Sequence, residues 1–565
     1  MPALYQDRAG ISLFSAQWST GEKQPIPEKT IQQVVFALQR FRATCRDFGV
    51  KDENIRLIAT EATRVALNSK EFTSEIKSCT GIDVEMLPKE EEGRIGAHGI
   101  ASSFIKVKGL VMDLGGGSTQ ITWMLSEDGE VRMSEKGSVS MPYGAAALSI
   151  RLDEANRAGK KAVEELRREI VSNFKSAITD INLPPELQGE ADESGLALYL
   201  SGGGFRGWGF VLMSQHPVQP YPIPIINGFK TTPAAFKDTE VVQAAVHASQ
   251  NTEEDSIFRV SARRASQVPA VAFLVSCLAE TLPTITNVHF CQGGVREGSL
   301  YSTLPPKTRA EHPLVVATSA TTPHSAPKLL KLIQAATPLP SDSSTFPGAL
   351  ISTSVLTAFV RSLYVHASLL KDLRAAAALR YTVSGQLAGL HGIGHMTRAA
   401  LALLLCERWG GRGSLPPSDE DFYTRLLQLV GAKVAWWCAY IGRVGALVAE
   451  MYPAGVVGAE QDVATITSSW KTLAKGPHGS VAGGEVKLEV AFRGNEDVVL
   501  LADALQKALK LVDKVGKRKH WPRPEFGHEV DLKVFTEEGK LKGKRWKGKE
   551  MRDGQAGATD MDMDD

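Results

Sequence analysis

The sequence has few cysteines and almost no net charge. Cys45, Cys79, Cys277, Cys291, Cys406 and Cys438 are scattered through 565 residues. They form no C-x-x-C pair and no close ligand cluster. That argues against a zinc ribbon or a disulfide framework and fits a reducing compartment. Lys and Arg number 64 and Asp and Glu 63. This balance argues against a globally basic nucleic-acid binder and against a highly charged disordered chain. Long apolar runs are also missing. Ala399–Cys406 falls far short of the ~20 residues a membrane span needs, and the run around Val434–Val448 is broken by Arg443. The first residues contain no apolar signal region, so the expectation is a cytoplasmic protein with no membrane partner.

What is present is ordinary for a globular protein: 43% hydrophobic and 22% charged residues, over a length that suits three to four domains at roughly 100–200 residues each. Charge is distributed unevenly. Lys514 to Lys549 holds twelve basic and five acidic residues, so the rest of the chain is slightly acidic.

Strand and helix signals alternate along the first three hundred residues. Ile31, Val34, Val35, Leu38 and Phe41 share a helical face. Asn54–Thr60 reads as a buried strand followed by a helix from Glu61. Gly81–Met86 is a short strand, and Pro88 suits the first turn of a helix. Lys108–Asp113 and Thr119–Met124 are strands around Gly115-Gly116-Gly117. Lys160–Ile178 is helical. Leu196–Ser201 runs into Gly202-Gly203-Gly204, and Asn287–Cys291 into Gly293-Gly294. This alternation predicts an α/β fold with mixed sheets. Eight prolines between Pro305 and Pro347 then predict a loose connector. Helical spacing fills about 350–455. A strand follows at Glu485–Phe492 and an amphipathic helix at Val498–Val512. The composition after Lys540 predicts a disordered tail.

Five stretches can carry chemistry. In Asp113-Leu-Gly-Gly-Gly-Ser-Thr-Gln120, glycines without Cβ let backbone N–H groups approach an anion. Ser118 and Thr119 add hydroxyls, and Asp113 can hold Mg²⁺ or orient a water. The plain alternative is a ligand-free hairpin. Lys89-Glu-Glu-Glu-Gly-Arg94 reads alone as a solvated acidic helix start. Ala59-Thr-Glu-Ala-Thr-Arg64 is a strand-to-helix junction whose arginine could clamp a phosphate. Ser201-Gly-Gly-Gly-Phe-Arg206 and Val295-Arg-Glu-Gly298 follow strands, and alone read as turn glycines with a surface arginine.

Together, in this order, these stretches resemble the Ppx/GppA family of exopolyphosphatases and guanosine-pentaphosphate phosphatases, whose lobes are actin-like (RNase H-like). The likeness spans about residues 1–300. Leu4-Tyr-Gln-Asp-Arg-Ala-Gly-Ile-Ser-Leu-Phe and Thr20-Gly-Glu-Lys-Gln-Pro-Ile-Pro-Glu28 point to its fungal retrograde-signalling branch. The resemblance implies a phosphoanhydride in an inter-lobe cleft, whether ATP, polyphosphate or a guanosine polyphosphate. Gly115, Gly116, Gly117, Ser118, Thr119, Arg64, Gly202, Gly203, Gly204 and Arg206 would bind it. Glu92 would be the general base, and Asp113 a catalytic residue near Mg²⁺. Arg94 and Arg296 are expected to mark the same cleft.

Two departures shape the expectation. The family's opening D-x-G-S-N-x-x-R hairpin does not precede Leu4, so Ile11–Ser15 is expected to be a strand of a truncated first lobe, left without a partner. Gln120 stands where bacterial members carry Glu. Both favour a nucleotide-binding sensor with little turnover over an active hydrolase. A catalytically dead scaffold is the weaker reading.

Leu390-His391-Gly-Ile-Gly394 resembles the core of the family's helical HD-like domain. Gly392 replaces the acidic metal ligand, so no metal is expected there and His366, His391 and His395 are expected to be core or cap residues. The expected organisation is a first lobe over 1–125, a second over 126–304, a connector over 305–348, a helical HD-like domain over 349–480, a small α+β segment over 481–538 and a tail over 539–565. A signalling partner and a homodimer are left open, and nucleic acid is disfavoured.

Overall fold

The computed structural model of the chain describes residues 5–19, 22–249, 257–340, 345–458, 463–473, 484–493 and 503–536. The expected tail over 539–565 and the first residues of the helix expected over Val498–Val512 lie outside them. The chain separates into two compact units. One comprises residues 1–320 with 379–402 and 424–429, the other 321–378 with 403–423 and 430–565.

The first unit opens on a helix, Leu13–Gln17, where a strand was expected over Ile11–Ser15. An isolated strand leaves its N–H and C=O groups unpaired. The helix satisfies them internally, and Ser12 caps it by accepting from the Ser15 N–H at 3.2 Å. Gln17 then ties the helix down, its Nε2 donating to the carbonyl of Ala62 at 2.9 Å. Helices Glu28–Asp47 and Ser69–Thr80 cover two parallel strands, β1 (Leu57–Ala59) and β2 (Val84–Met86). Ile31, Val35, Phe72 and Ile76 fill the space between these elements.

The larger sheet contains β3 (Val107–Leu114), β4 (Thr119–Glu127), β5 (Glu130–Met133), β6 (Val139–Met141), β7 (Leu196–Ser201), β8 (Phe229–Thr231) and β9 (Ile285–Phe290). Its order is β5-β4-β3-β7-β9-β8, with β6 on β4. β3, β7 and β9 are parallel, while β4 and β8 run antiparallel to β3 and β9. This is the expected mixed α/β class.

β3 is covered on both faces, which is why it reads as a nearly continuous apolar run. Leu110, Met112 and Leu114 face the core that also holds Leu148, Phe174, Phe205 and Leu274. Val107 and Val111 face the other core, with Ala97 and Ile100 of helix Lys89–Ala101. Side chains alternate along a strand. Asp113 therefore shares the Val111 face, toward the helix that carries Glu92.

The proline-rich stretch is not a loose connector. It forms helices Pro306–Arg309, Pro313–Ala317 and Ala326–Ala335, each with proline in its first two positions. There the missing N–H is no loss and the fixed φ favours the helix. The prolines read as breakers are helix starts.

The Leu390–Gly394 motif belongs to the first unit. His395 donates its backbone N–H to Gly228 O at 3.2 Å, and its Nδ1 lies 2.7 Å from the Tyr221 hydroxyl. Gly392 has φ +83, and a Cβ there would meet Pro313 Cγ at 2.4 Å. Packing thus requires glycine at this position.

In the second unit, β10 (Ala464–Thr472), β11 (Gly484–Phe492) and β12 (Glu529–Thr536) form a sheet in that order. β10 lies inside the stretch expected to be helical. Ala464 and Ile466 are buried with Thr465 exposed between them, and the strand pairs with β11 along its full length. β11 and β12 are parallel, joined across helix Asp503–Val515, which buries Leu509, Val512 and Val515. Among the described residues no helix is long and apolar enough to cross a membrane.

Candidate functional site

The β3–β4 turn, Gly115–Ser118, sits against the start of helix Ala145–Ala158. The N–H of Ala145 donates to Gly115 O at 2.9 Å, and that of Gly144 to Gly117 O at 3.1 Å. Ala146 and Ala147 both donate to Gly116 O, at 3.0 and 3.1 Å. Helix amides that often hold an anion are thus occupied by the loop's carbonyls. A trans peptide places N–H opposite C=O. The N–H groups of Gly116, Gly117 and Ser118 consequently point away from the helix, and among the described residues they find no protein acceptor. Three adjacent free amides form a nest for an anion.

The loop borders a cleft of about 1470 Å³ within the first unit. Helix Leu13–Gln17 supplies Phe14 to its wall, with Trp18 just beyond. The loop glycines are not left-handed. A Cβ on Gly116 would point into open space, while one on Gly117 would come 3.1 Å from Glu61 Oε2. Their lack of side chains keeps the amides accessible.

Asp113 is paired across the sheet with Gln120 on β4 and with Ser201 on β7, which gathers the three in one row. Desolvation holds the Asp113 carboxyl above its ordinary range, opposed by Ser201 and the Arg206 charge. Glu92 is also raised, first by desolvation and further by the Glu61 charge, while its Arg64 partner pulls the other way. Glu92 and Asp113 both border a small cavity of about 50 Å³ adjoining the cleft. That volume can hold a water. Among the described residues no three His, Cys, Asp or Glu side chains assemble as a metal-ligand set. A Mg²⁺ here would rely on Asp113, phosphate oxygens and water.

Several expected residues have other partners. Arg64 donates to Leu87 O and to Glu92 Oε2, the latter at 3.1 Å. It holds the base candidate in place. Thr119, expected as a phosphate donor, is fully buried and its hydroxyl donates to Tyr143 O at 2.8 Å, so it anchors the loop. Ser118 donates to Glu61 Oε2 at 2.7 Å and accepts from Gln120 Nε2 at 2.9 Å. A Cβ on Gly202 or Gly204 would strike Leu114, whereas Gly203 is open. These glycines start helix Gly202–Ser214 close against β3. Arg206 bonds Gly202 O at 3.2 Å. Arg94 pairs with Glu91, and Arg296 with Glu297; neither arginine lines the cleft.

The glycines around Val295–Gly298 seat the Glu92 helix. A Cβ on Gly99 would lie 2.1 Å from Gly294 O, and one on Gly298 1.8 Å from Ile95 O. Backbone thus packs on backbone between helices Lys89–Ala101 and Val295–Tyr301.

Sequence reasoning missed Glu61 and the cations that line the cleft, and the expected Arg64 and Arg206 are not among its lining residues. Arg8, Arg151, Arg259, Arg263 and Arg264 line it. Arg264 is pushed down to about 10, by desolvation first and then by the Arg206, Arg8, Arg263 and Arg259 charges. Burial is the larger cause and the neighbouring positive charge the smaller, and an anion would relieve the latter. Glu61 was legible as the acid of A-T-E-A-T-R. The arginines of Ser261-Ala-Arg-Arg264 carry no glycine or strand-end signal.

Comparison with known proteins identifies the family. Residues 1–307 match the Ppx/GppA phosphatase family model, and residues 312–539 match the RTG2 C-terminal domain. The chain belongs to the Ppx/GppA phosphatase family. It is 39% identical over 469 residues to Retrograde regulation protein 2 of Saccharomyces cerevisiae, covering 80% of this chain and 77% of that protein. A guanosine-5'-triphosphate,3'-diphosphate pyrophosphatase of Photobacterium profundum is 36% identical over 97 residues, 17% of this chain and 19% of that one. The crystal structure of the Aquifex aeolicus Ppx/GppA phosphatase, type II variant, aligns over 52% of this chain and 88% of its own, at 22% identity and a TM-score of 0.37.

Proposed function

We propose that this protein is a phosphate-sensing member of its family, binding ATP or a polyphosphate in the cleft and acting in mitochondria-to-nucleus signalling. The three unpartnered amides of Gly116–Ser118, aimed into an arginine-lined cleft, carry the reading. A phosphate oxygen accepts from these amides without displacing any protein bond. Ser118 and Glu61 close the near side. Mg²⁺, when bound with the phosphates, would neutralise charge between them and the desolvated Asp113 carboxylate. The signalling role is drawn from the Saccharomyces relative, and the site chemistry from the nest. A protein partner would read whether the cleft is filled.

Gln120 favours sensing over turnover. Its amide supplies a donor to Ser118 where a carboxylate would add a fourth acid beside Glu61, Glu92 and Asp113. Equilibrium binding of ATP with Mg²⁺ tests the reading, with Asp113→Ala expected to weaken it. Equal affinity in parent and variant overturns the assignment of Asp113. The second reading, hydrolysis, is favoured by the cavity between Glu92 and Asp113, where a water would lie beside a carboxylate of raised pKa. Phosphate release well above background that is abolished by Glu92→Gln would establish it.

A further inference from the structure

Arg151 differs from the other cleft arginines in what carries it. It stands on helix Ala145–Ala158, whose first amides grip the glycine loop. At 1.5 Å rise per residue it lies about 9 Å along the axis from Ala145. In the structure it lines the cleft with its guanidinium already engaged by neighbours. Its Nη2 pairs with Glu169 Oε2 at 2.6 Å, and its guanidinium lies 5.5 Å from the Tyr143 ring centroid. Glu169 Oε1 accepts from the Tyr143 hydroxyl at 2.8 Å, and Asn173 also donates to that hydroxyl. The Arg151 and Glu169 side chains are 35% and 45% exposed. Ion pairs this exposed are weak and easily exchanged. If Arg151 leaves, Glu169 keeps its Tyr143 bond and its freed oxygen reaches water, so no charge is stranded.

We infer that Arg151 gauges ligand length: an oligophosphate whose end fills the glycine loop and whose further phosphates cross the cleft to the arginine takes Arg151 from Glu169, while a single phosphate ends short of it. This rests on the phosphate-binding reading of the same cleft. Glu169 offers the guanidinium one charge and one oxygen, its other oxygen being taken by Tyr143, whereas a phosphate chain offers several charges and can accept two parallel N–H bonds. Glu154 lines the same cleft less than one turn beyond Arg151, so an anion running past the arginine meets repulsion. Arg8, Arg259, Arg263 and Arg264 also line the cleft and are the competing holders of distal phosphates.

Calorimetric titration of the full chain with sodium tripolyphosphate and with inorganic phosphate tests this. The quantity read is the ratio of the two affinities. Arg151→Gln is expected to lower it about tenfold, the loss of one charge-assisted contact. Glu169→Gln keeps an acceptor for Tyr143 but frees the arginine, and is expected to raise the ratio severalfold. A parent that binds both probes, with the ratio unchanged in both variants, overturns the gauge and passes the distal phosphates to the other arginines. A parent that binds neither probe overturns the phosphate-binding reading, and the gauge with it.

Discussion

A methyl group added at Gly144 would lie 2.4 Å from both Gly117 C and Ser118 N. One added at Gly116 meets nothing within 4 Å. The two glycines therefore separate folding from binding. Gly144→Ala should push the loop off the helix start and cost about 1–3 kcal/mol, the usual range for overpacking, with phosphate binding lost as well. That is checked by denaturant unfolding beside a binding titration. Gln120 gives a second contrast at this scale. Gln120→Glu removes the donor to Ser118 and adds charge beside Glu61. Its affinity for sulfate should fall, with the largest loss above the carboxylate range. The raised carboxyls Asp113 and Glu92 set the sign of the parent's own pH profile. They take up protons at higher pH than free carboxyls, so lowering pH neutralises them and sulfate should bind more tightly. Titration with sulfate at two pH values checks both statements.

At the scale of elements, the site depends on how helix Lys89–Ala101 is seated. Gly99 and Gly298 let backbone meet backbone, and no rotamer can relieve a Cβ at either. Gly99→Ala and Gly298→Ala should each lower the melting temperature and shift Glu92 from Arg64. The β3–β4 hairpin around Asp113–Gln120 was legible in the sequence because two apolar runs flanked a glycine turn. Its partner helix was legible too, from Pro88 and the acidic first turn. Ile11–Ser15 was not, because a short apolar segment with no partner strand satisfies its backbone as a helix. The prolines after 305 were misread for a related reason. Proline breaks a helix interior but begins a helix well, and only position within the element distinguishes the two. The long-range pairing of Ser118 with Glu61 and the convergence of Arg8 with Arg264 leave no local pattern to read.

At the scale of the molecule, buried histidines make the fold acid-sensitive. Desolvation pushes His289 and His391 down to about 4 and His395 to about 3, from an ordinary 6.5. The unfolded chain binds these protons first as pH falls. The associated stability is complete above about pH 6.5 and is lost progressively toward the folded-state values near 4. Melting temperatures measured down that range should fall, and His289→Gln should fall less steeply. The cleft, by contrast, is stabilised from outside: a ligand that binds only the folded first unit raises its stability by mass action. The central claim is that the free amides of Gly116, Gly117 and Ser118 hold a phosphate. A calorimetric titration of pyrophosphate into the parent and into Gly116→Ala tests it most directly. Binding by the parent, with about tenfold or greater weakening in a variant that melts at the same temperature, is the expected result. Equal affinity in the two proteins would contradict it.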